Sequence, residues 1–287
     1  MLSGWVDSVT NELLRYTEPY PGKIMVKSVG TAAAGFEKQL YALPGVADEH
    51  RQVLETDFLQ RIDSDAATAY ALLIAGKIKE LTNQQRISWV RFILLMLFRT
   101  PRNLAAYKIG FEGAWRQPVA SVTARYDKMW KLGYPKTAEE FIDKQMPGLV
   151  DHFVMREFPR VAQNGPLGQH LLRMNWNVLR VREKSFLISD EPVVMQSGLA
   201  IPGGHLALPL SADSMFLATF DKPTFETIKK IKPANIVKTM NKLLVQRASS
   251  FVGARDISLD AFIRKHFGTN PVPSIATLFA EEFGKGN

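Results

Sequence analysis

Helical and extended periodicities occupy separate parts of this chain, and that separation constrains its fold more than any other feature. Phe58, Leu59, Ile62, Ala66, Ala69, Tyr70 and Leu73 recur at three- and four-residue spacing, one face of an amphipathic helix. Thr82 and Gln85 form a capping-box pair that opens a second helix, and Pro101 ends it. Within it Ile87, Val90, Ile93, Leu94, Leu97 and Phe98 make a broad apolar stripe, so this helix should be the most buried element. Residues 102–130 continue as one or two helices, with an interruption at Gln117-Pro118. Thr137 with Glu140 is another capping box, opening a short helix that runs to Met146. Further helices are expected over 148–158 and 167–173. Strand-like runs are confined to 174–181, 186–188, 193–195, 205–210 and 215–220, plus a hairpin of residues 13–16 and 23–27 around Pro19-Tyr20-Pro21-Gly22. Helices return over 234–250 and 258–267, the last closed by Gly268.

Runs of helices followed by runs of strands predict an α+β fold rather than an alternating doubly wound one. The middle, about 56–170, is mainly helical. A small antiparallel or mixed sheet combines the N-terminal hairpin with residues 174–220. With 287 residues, 46% of them hydrophobic, the chain can build a sizeable core, and residues 1–287 read as a single domain. The Gly/Pro-rich stretch at 164–168 is the best internal boundary.

Composition narrows the chemistry. There is no cysteine, which excludes disulfides, thiolate metal sites and cysteine nucleophiles. The N-terminus has neither the basic nor the apolar region of a signal peptide. The most apolar run, residues 89–98, is about half the length that spans a bilayer. A soluble, cytoplasmic protein without a membrane partner is expected. The net charge of +8 and pI near 9.6 favour a polyanionic partner, a nucleic acid or a phosphate-bearing ligand. The densest basic stretch, residues 222–238, holds five lysines but only Phe225 as an interleaved aromatic.

Walker, GxGxxG, GxSxG and HExxH motifs are absent. The glycine-rich stretch from Gly198 to Gly204 lacks the Lys-Ser/Thr of a phosphate loop and reads as a hairpin loop. The histidines, at 50, 152, 170, 205 and 266, show no metal-ligand spacing. No metal site and no particular cofactor is predicted, although Asp190 and Glu191 could meet a divalent ion with Asp63 or Asp65.

The strongest candidate site is Phe186-Leu187-Ile188-Ser189-Asp190-Glu191-Pro192-Val193-Val194, where an apolar run breaks into polar residues and then resumes. Polar side chains at the mouth of a buried strand are well placed to meet a ligand. Ser189, Asp190, Glu191 and His205 are the candidate catalytic groups. Arg99, Arg102 and Asn241 are the candidate substrate-binding groups, since arginines clamp phosphates or carboxylates. Each has an alternative structural role. Ser189 and Asp190 can cap their own turn, and arginines complement a helix C-terminus. Asn241, inside a helix, can bond a neighbouring loop.

The same residues carry a resemblance. Met174-Asn175-Trp176, the 186–193 run, Leu208-Pro209-Leu210-Ser211, and Asn241 with Gln246-Arg247-Ala248 resemble the C-terminal half of a bacterial domain-of-unknown-function family, number 4238. Gly35-Phe36-Glu37, Leu40-Tyr41, residues 58–66 and Arg99-Thr100-Pro101 are similar to its upstream pattern. The family opens with a His-Tyr-Val-Pro type segment, of which Leu2-Ser3-Gly4-Trp5 resembles only the end. The resemblance implies no activity. It suggests that Met1 interrupts a longer segment, and Trp5 should then be docked in the core rather than frayed.

Two functional readings follow, beside a third in which the chain is a structural or interaction protein with no small-molecule site. One is an enzyme acting on a phosphate-bearing or nucleic-acid substrate through the Ser-Asp-Glu-Pro turn and the arginines. The other is a non-catalytic module that binds nucleic acid or protein through a basic surface.

Overall fold

The computed structural model of the chain describes residues 2–34, 60–98, 100, 103, 120–145 and 165–271. The chain divides into two compact units. The first comprises Met1–Lys38, Ile62–Thr100 and Ala162–Val272; the second comprises Gln39–Arg61, Pro101–Val161 and Pro273–Asn287.

In the first unit, strands β1 (Leu13–Tyr20) and β2 (Lys23–Val29) form the expected hairpin. Its turn is Pro21-Gly22, with Gly22 at φ 75°, a left-handed conformation that a side chain would strain. β1 then pairs on its other edge with β8 (Val252–Ala254), and β8 pairs with β4 (Ile188–Ser189). The order is β2-β1-β8-β4, antiparallel throughout. A second antiparallel sheet has the order β3-β7-β6-β5, built from β3 (Asn175–Arg180), β5 (Val194–Gln196), β6 (His205–Ser211) and β7 (Ser214–Thr219). The α+β class is as expected from the sequence. The strands divide between two sheets, and the first of these contains β8, for which the sequence pattern predicts no strand.

The helices of this unit follow the predicted faces. The short α1 (Thr31–Ala34) succeeds β2. α2 (Gln60–Ile74) buries Ile62, Ala66, Ala69 and Leu73; Phe58 and Leu59 lie outside the described residues. α3 (Asn83–Phe98) begins at the predicted capping box. Gln85 N donates to Thr82 Oγ1 at 3.2 Å, and Thr82 N donates to Gln85 Oε1 at 2.9 Å. From Ser88 to Leu97 every residue but Arg91 is buried, so the helix is apolar nearly all round, as its stripe implied. α6 (Pro166–Arg173) packs on it through Gly168, where a Cβ would come within 3.2 Å of Leu94 Cδ1. After the strands come α7 (Lys222–Lys229), α8 (Pro233–Arg247) and α9 (Asp260–His266). α8 buries Val237, Met240, Asn241, Leu244 and Val245 against the main core cluster with Tyr16, Phe186 and Leu187. Trp5 is fully buried beside Leu13, Ile188 and Phe251, as expected.

In the second unit the described residues form a helical hairpin, α4 (Ala120–Met129) and α5 (Ala138–Gln145). Its aromatic core stacks Tyr134 on Phe141 and sets Tyr126 against Phe141. The predicted cap at Thr137 is made, with Glu140 N donating to Thr137 Oγ1 at 3.2 Å, while the return bond to Glu140 Oε2 comes from Lys136 N, one residue before the cap, at 3.0 Å. Among the described residues no helix is long and apolar enough to cross a membrane.

Candidate functional site

The run from Ser185 to Asp190 is held from every side. Trp5 Nε1 donates to Phe186 O at 2.8 Å, and Phe186 N donates to Ala212 O at 2.7 Å in the β6–β7 turn. Ile188 and Ser189 pair with Gly253 and Val252 of β8. Gly253 is required there, since a Cβ would lie 2.6 Å from Ile188 Cγ2 and 2.9 Å from Leu13 Cδ1. The segment thus links the edge strand of one sheet to the turn of the other.

Asn241 completes this clamp. It is 3% exposed, and its side chain acts as a surrogate strand: Oδ1 accepts from Leu187 N and Nδ2 donates to Ser185 O, both at 2.9 Å. The polar residue on an otherwise apolar helix face therefore bonds a neighbouring loop, one of the two roles expected of it.

Asp190 serves a second loop. Its carboxylate accepts from the backbone N–H groups of Ser249 at 3.2 Å, Ser250 at 3.0 Å and Phe251 at 3.3 Å, and from the Ser249 hydroxyl. Asp190 N in turn donates to Phe251 O at 3.3 Å. The loop so gathered joins α8 to β8. A carboxylate with several N–H donors is well satisfied as a loop anchor. Half-buried Glu191 interacts electrostatically with Arg247, whose guanidinium is pulled below its ordinary value by burial while the Glu191 charge opposes the shift.

Ser189 differs. It is 3% exposed, and its Oγ has no hydrogen-bond partner. A serine nucleophile needs a base within hydrogen-bond reach, and none bonds this hydroxyl. His205 begins β6 in the other sheet, opposite Gln196 and Thr219, and its Nδ1 lies 2.9 Å from Gly203 O. Neither His205 nor Asn241 is among the hydrogen-bond partners of the Asp190 carboxylate. Arg99 and Arg102 lie outside the described residues. Among the described residues no group of three or more histidine and acidic side chains is arranged to hold a metal ion.

A polar cluster that the sequence reading did not single out caps the β6–β7 hairpin. Asp213 accepts from Ser211 Oγ at 2.5 Å and Ser214 Oγ at 2.9 Å. The Ser211 hydroxyl, followed by that of Ser214 and the charges of Arg255 and Arg180, holds this carboxyl below its usual range against the effect of desolvation. Ser-Ala-Asp-Ser is an ordinary hairpin-turn composition, so sequence alone offered no reason to separate it from any other turn.

The basic stretch spans two helices and their connection. Lys222 and Lys229 lie on α7, Lys230 and Lys232 in the connection, and Lys238 and Lys242 on α8; all six are exposed. Between 222 and 242 the only acidic residue is Glu226. Ion pairs with these lysines are absent among the described residues. α8 starts at Lys232 with no side-chain cap and no acid in its first turn.

A family model described as "Protein of unknown function (DUF4238)" matches residues 1–258. No curated protein matches the chain. No solved structure matches it either.

Proposed function

The chain belongs to the DUF4238 family, and because that family's description names no activity, we propose a function from the chain's own geometry: a polyanion-binding protein that contacts nucleic-acid phosphates through the lysine face of α7 and α8. The observation that supports this reading is the set of six exposed lysines, without an ion pair among the described residues and with a single glutamate among them. Within residues 222–242 an acidic partner surface would meet Glu226 as the single like charge. Amphipathicity fixes the presentation. α8 turns Val237, Met240, Leu244 and Val245 inward, which leaves Lys238 and Lys242 outward. The net charge of +8 acts in the same direction at long range.

Such a face binds without reading sequence. Phe225 is turned toward the core, so base stacking plays no part in it, and counter-ion release supplies the affinity. We favour this over catalysis at the Ser-Asp-Glu-Pro turn. There the Asp190 carboxylate already holds a loop, Asn241 already holds a strand, and Ser189 has no base.

Anisotropy of labelled oligonucleotides across a salt series tests the proposal. Affinity should fall steeply as salt rises. The Lys229→Glu/Lys230→Glu/Lys232→Glu variant should bind at least about tenfold more weakly and show a shallower slope, by roughly 0.9 per lost duplex phosphate contact. Absence of binding at low salt, or an unchanged triple variant, would refute it.

A further inference from the structure

The tip of the α4–α5 hairpin carries a second feature that the lysine face does not explain. Met129, Trp130, Leu132 and Tyr134 are 52%, 46%, 94% and 40% exposed. They are interleaved with Lys128, Lys131 and Lys136, all exposed, and no acid occurs from 128 to 138. We propose that this tip is a docking point for an anionic lipid surface, inserting Leu132 and Trp130 among the headgroups while the lysines meet their charge.

The tip is preformed. Tyr134 N donates to Lys131 O at 2.9 Å, closing a four-residue turn, and Gly133 supplies its left-handed corner at φ 97°. That places Leu132 at the apex. Pro135 O accepts from both Tyr126 Oη at 2.7 Å and Trp130 Nε1 at 2.9 Å, tying the descending chain back to α4. The tip therefore loses little conformational freedom on docking. An apex leucine almost wholly in water gains from burial, and an amphipathic indole beside it suits the interfacial layer. Lysines flanking an apolar wedge are the pattern attracted to anionic leaflets.

Other occupants fit less well. Leu132, the most exposed residue, has no ring face on which a base could stack, and the Tyr134 ring already stacks on Phe141. A second copy of the tip would bring lysines against lysines. Surface docking also differs from crossing a bilayer, for which no described helix is suited.

Vesicle flotation of the full chain tests this, with phosphatidylcholine vesicles with and without phosphatidylserine, at low and high salt. The wild type should float with the anionic vesicles, fail to float with the neutral ones, and release at high salt. Leu132→Asp should reduce partitioning about 30-fold, the effect of losing one buried leucine side chain. Leu132→Phe should retain it, which separates lost docking from lost folding. The Lys229→Glu/Lys230→Glu/Lys232→Glu variant should still float with the anionic vesicles, losing less than Leu132→Asp. No flotation with anionic vesicles overturns the inference. So does unchanged flotation of Leu132→Asp, or flotation lost only in the triple variant. A weakening of oligonucleotide binding by Leu132→Asp with vesicle binding intact would reassign the tip to nucleic acid.

Discussion

Replacing Asn241 separates a structural clamp from a binding group. The Asn241 amide is 3% exposed and bonds Leu187 N and Ser185 O, each at 2.9 Å. Leucine matches its size but leaves one N–H and one C=O unpaired in the interior. Each such loss costs about 1–3 kcal/mol, so Asn241→Leu should destabilise the protein by about 2–6 kcal/mol. Asn241→Asp is more informative. One carboxylate oxygen can still accept from Leu187 N, but the other faces the Ser185 carbonyl. Burial and that repulsion raise the folded-state pKa above the unfolded value of about 3.9. The fold then favours the protonated acid, which can donate to Ser185 O. Below the unfolded pKa the deficit is smallest, and it grows as pH rises through the raised folded-state pKa. Urea unfolding followed by circular dichroism near pH 7 and near pH 4, each against wild type at the same pH, measures both effects. If Asn241→Leu stays within about 0.5 kcal/mol of wild type, or acidification brings Asn241→Asp no closer to wild type, the clamp argument is wrong.

Three further outcomes are expected. Ser189→Ala should leave stability unchanged or raise it by up to about 1–3 kcal/mol, because the lost hydroxyl is buried without a partner; a clear loss in a thermal melt would show that Ser189 Oγ is bonded in solution. Burial pushes the Tyr16 phenol up to about 12, so its contribution to stability should be constant below pH 10 and be lost between pH 10 and 12, and Tyr16→Phe should remove that part of the alkaline loss in pH-dependent unfolding. Leu94→Ala should cost about 2–5 kcal/mol in denaturant titration, and Gly168→Ala, which presses on Leu94 Cδ1 at 3.2 Å in wild type, should cost less in that background.

Features written within a few residues were legible in the sequence. The Thr82/Gln85 and Thr137/Glu140 boxes, the buried stripe of α3 and the Pro21-Gly22 turn all depend on neighbours along the chain. β8 was not legible, because Val252-Gly253-Ala254 is too short for a period and has meaning only against Leu13 and Ile188. α7 escaped because its lysines mask an apolar face, although Asp221, whose carboxylate accepts from Thr224 N at 2.8 Å ahead of Pro223, is a helix-start signal. The candidate site divides the same way. That 186–191 is a polar break in a buried strand could be read directly. That Asp190 addresses Ser249 to Phe251 could not, since those donors lie about sixty positions downstream with no local pattern to reveal them.

Synthesis order turns one part of this architecture into a kinetic problem. Arg255 reaches Gly4 across 251 residues and Trp5 reaches Phe186 across 181, while β8 supplies the second neighbour of β1. At about 5–20 residues per second, the N-terminal hairpin leaves the ribosome roughly 10–50 s before β8 exists. Until residues 186–188 emerge, Trp5 and Leu13 have no partners from the later chain, and β1 keeps an open edge until β8 emerges. An unpaired edge beside exposed large apolar groups is a template for intermolecular pairing. The nascent protein should therefore depend on holdase chaperones far more than its native state suggests, and shortening the wait for β8, by a circular permutation that starts upstream of it, should raise the soluble yield.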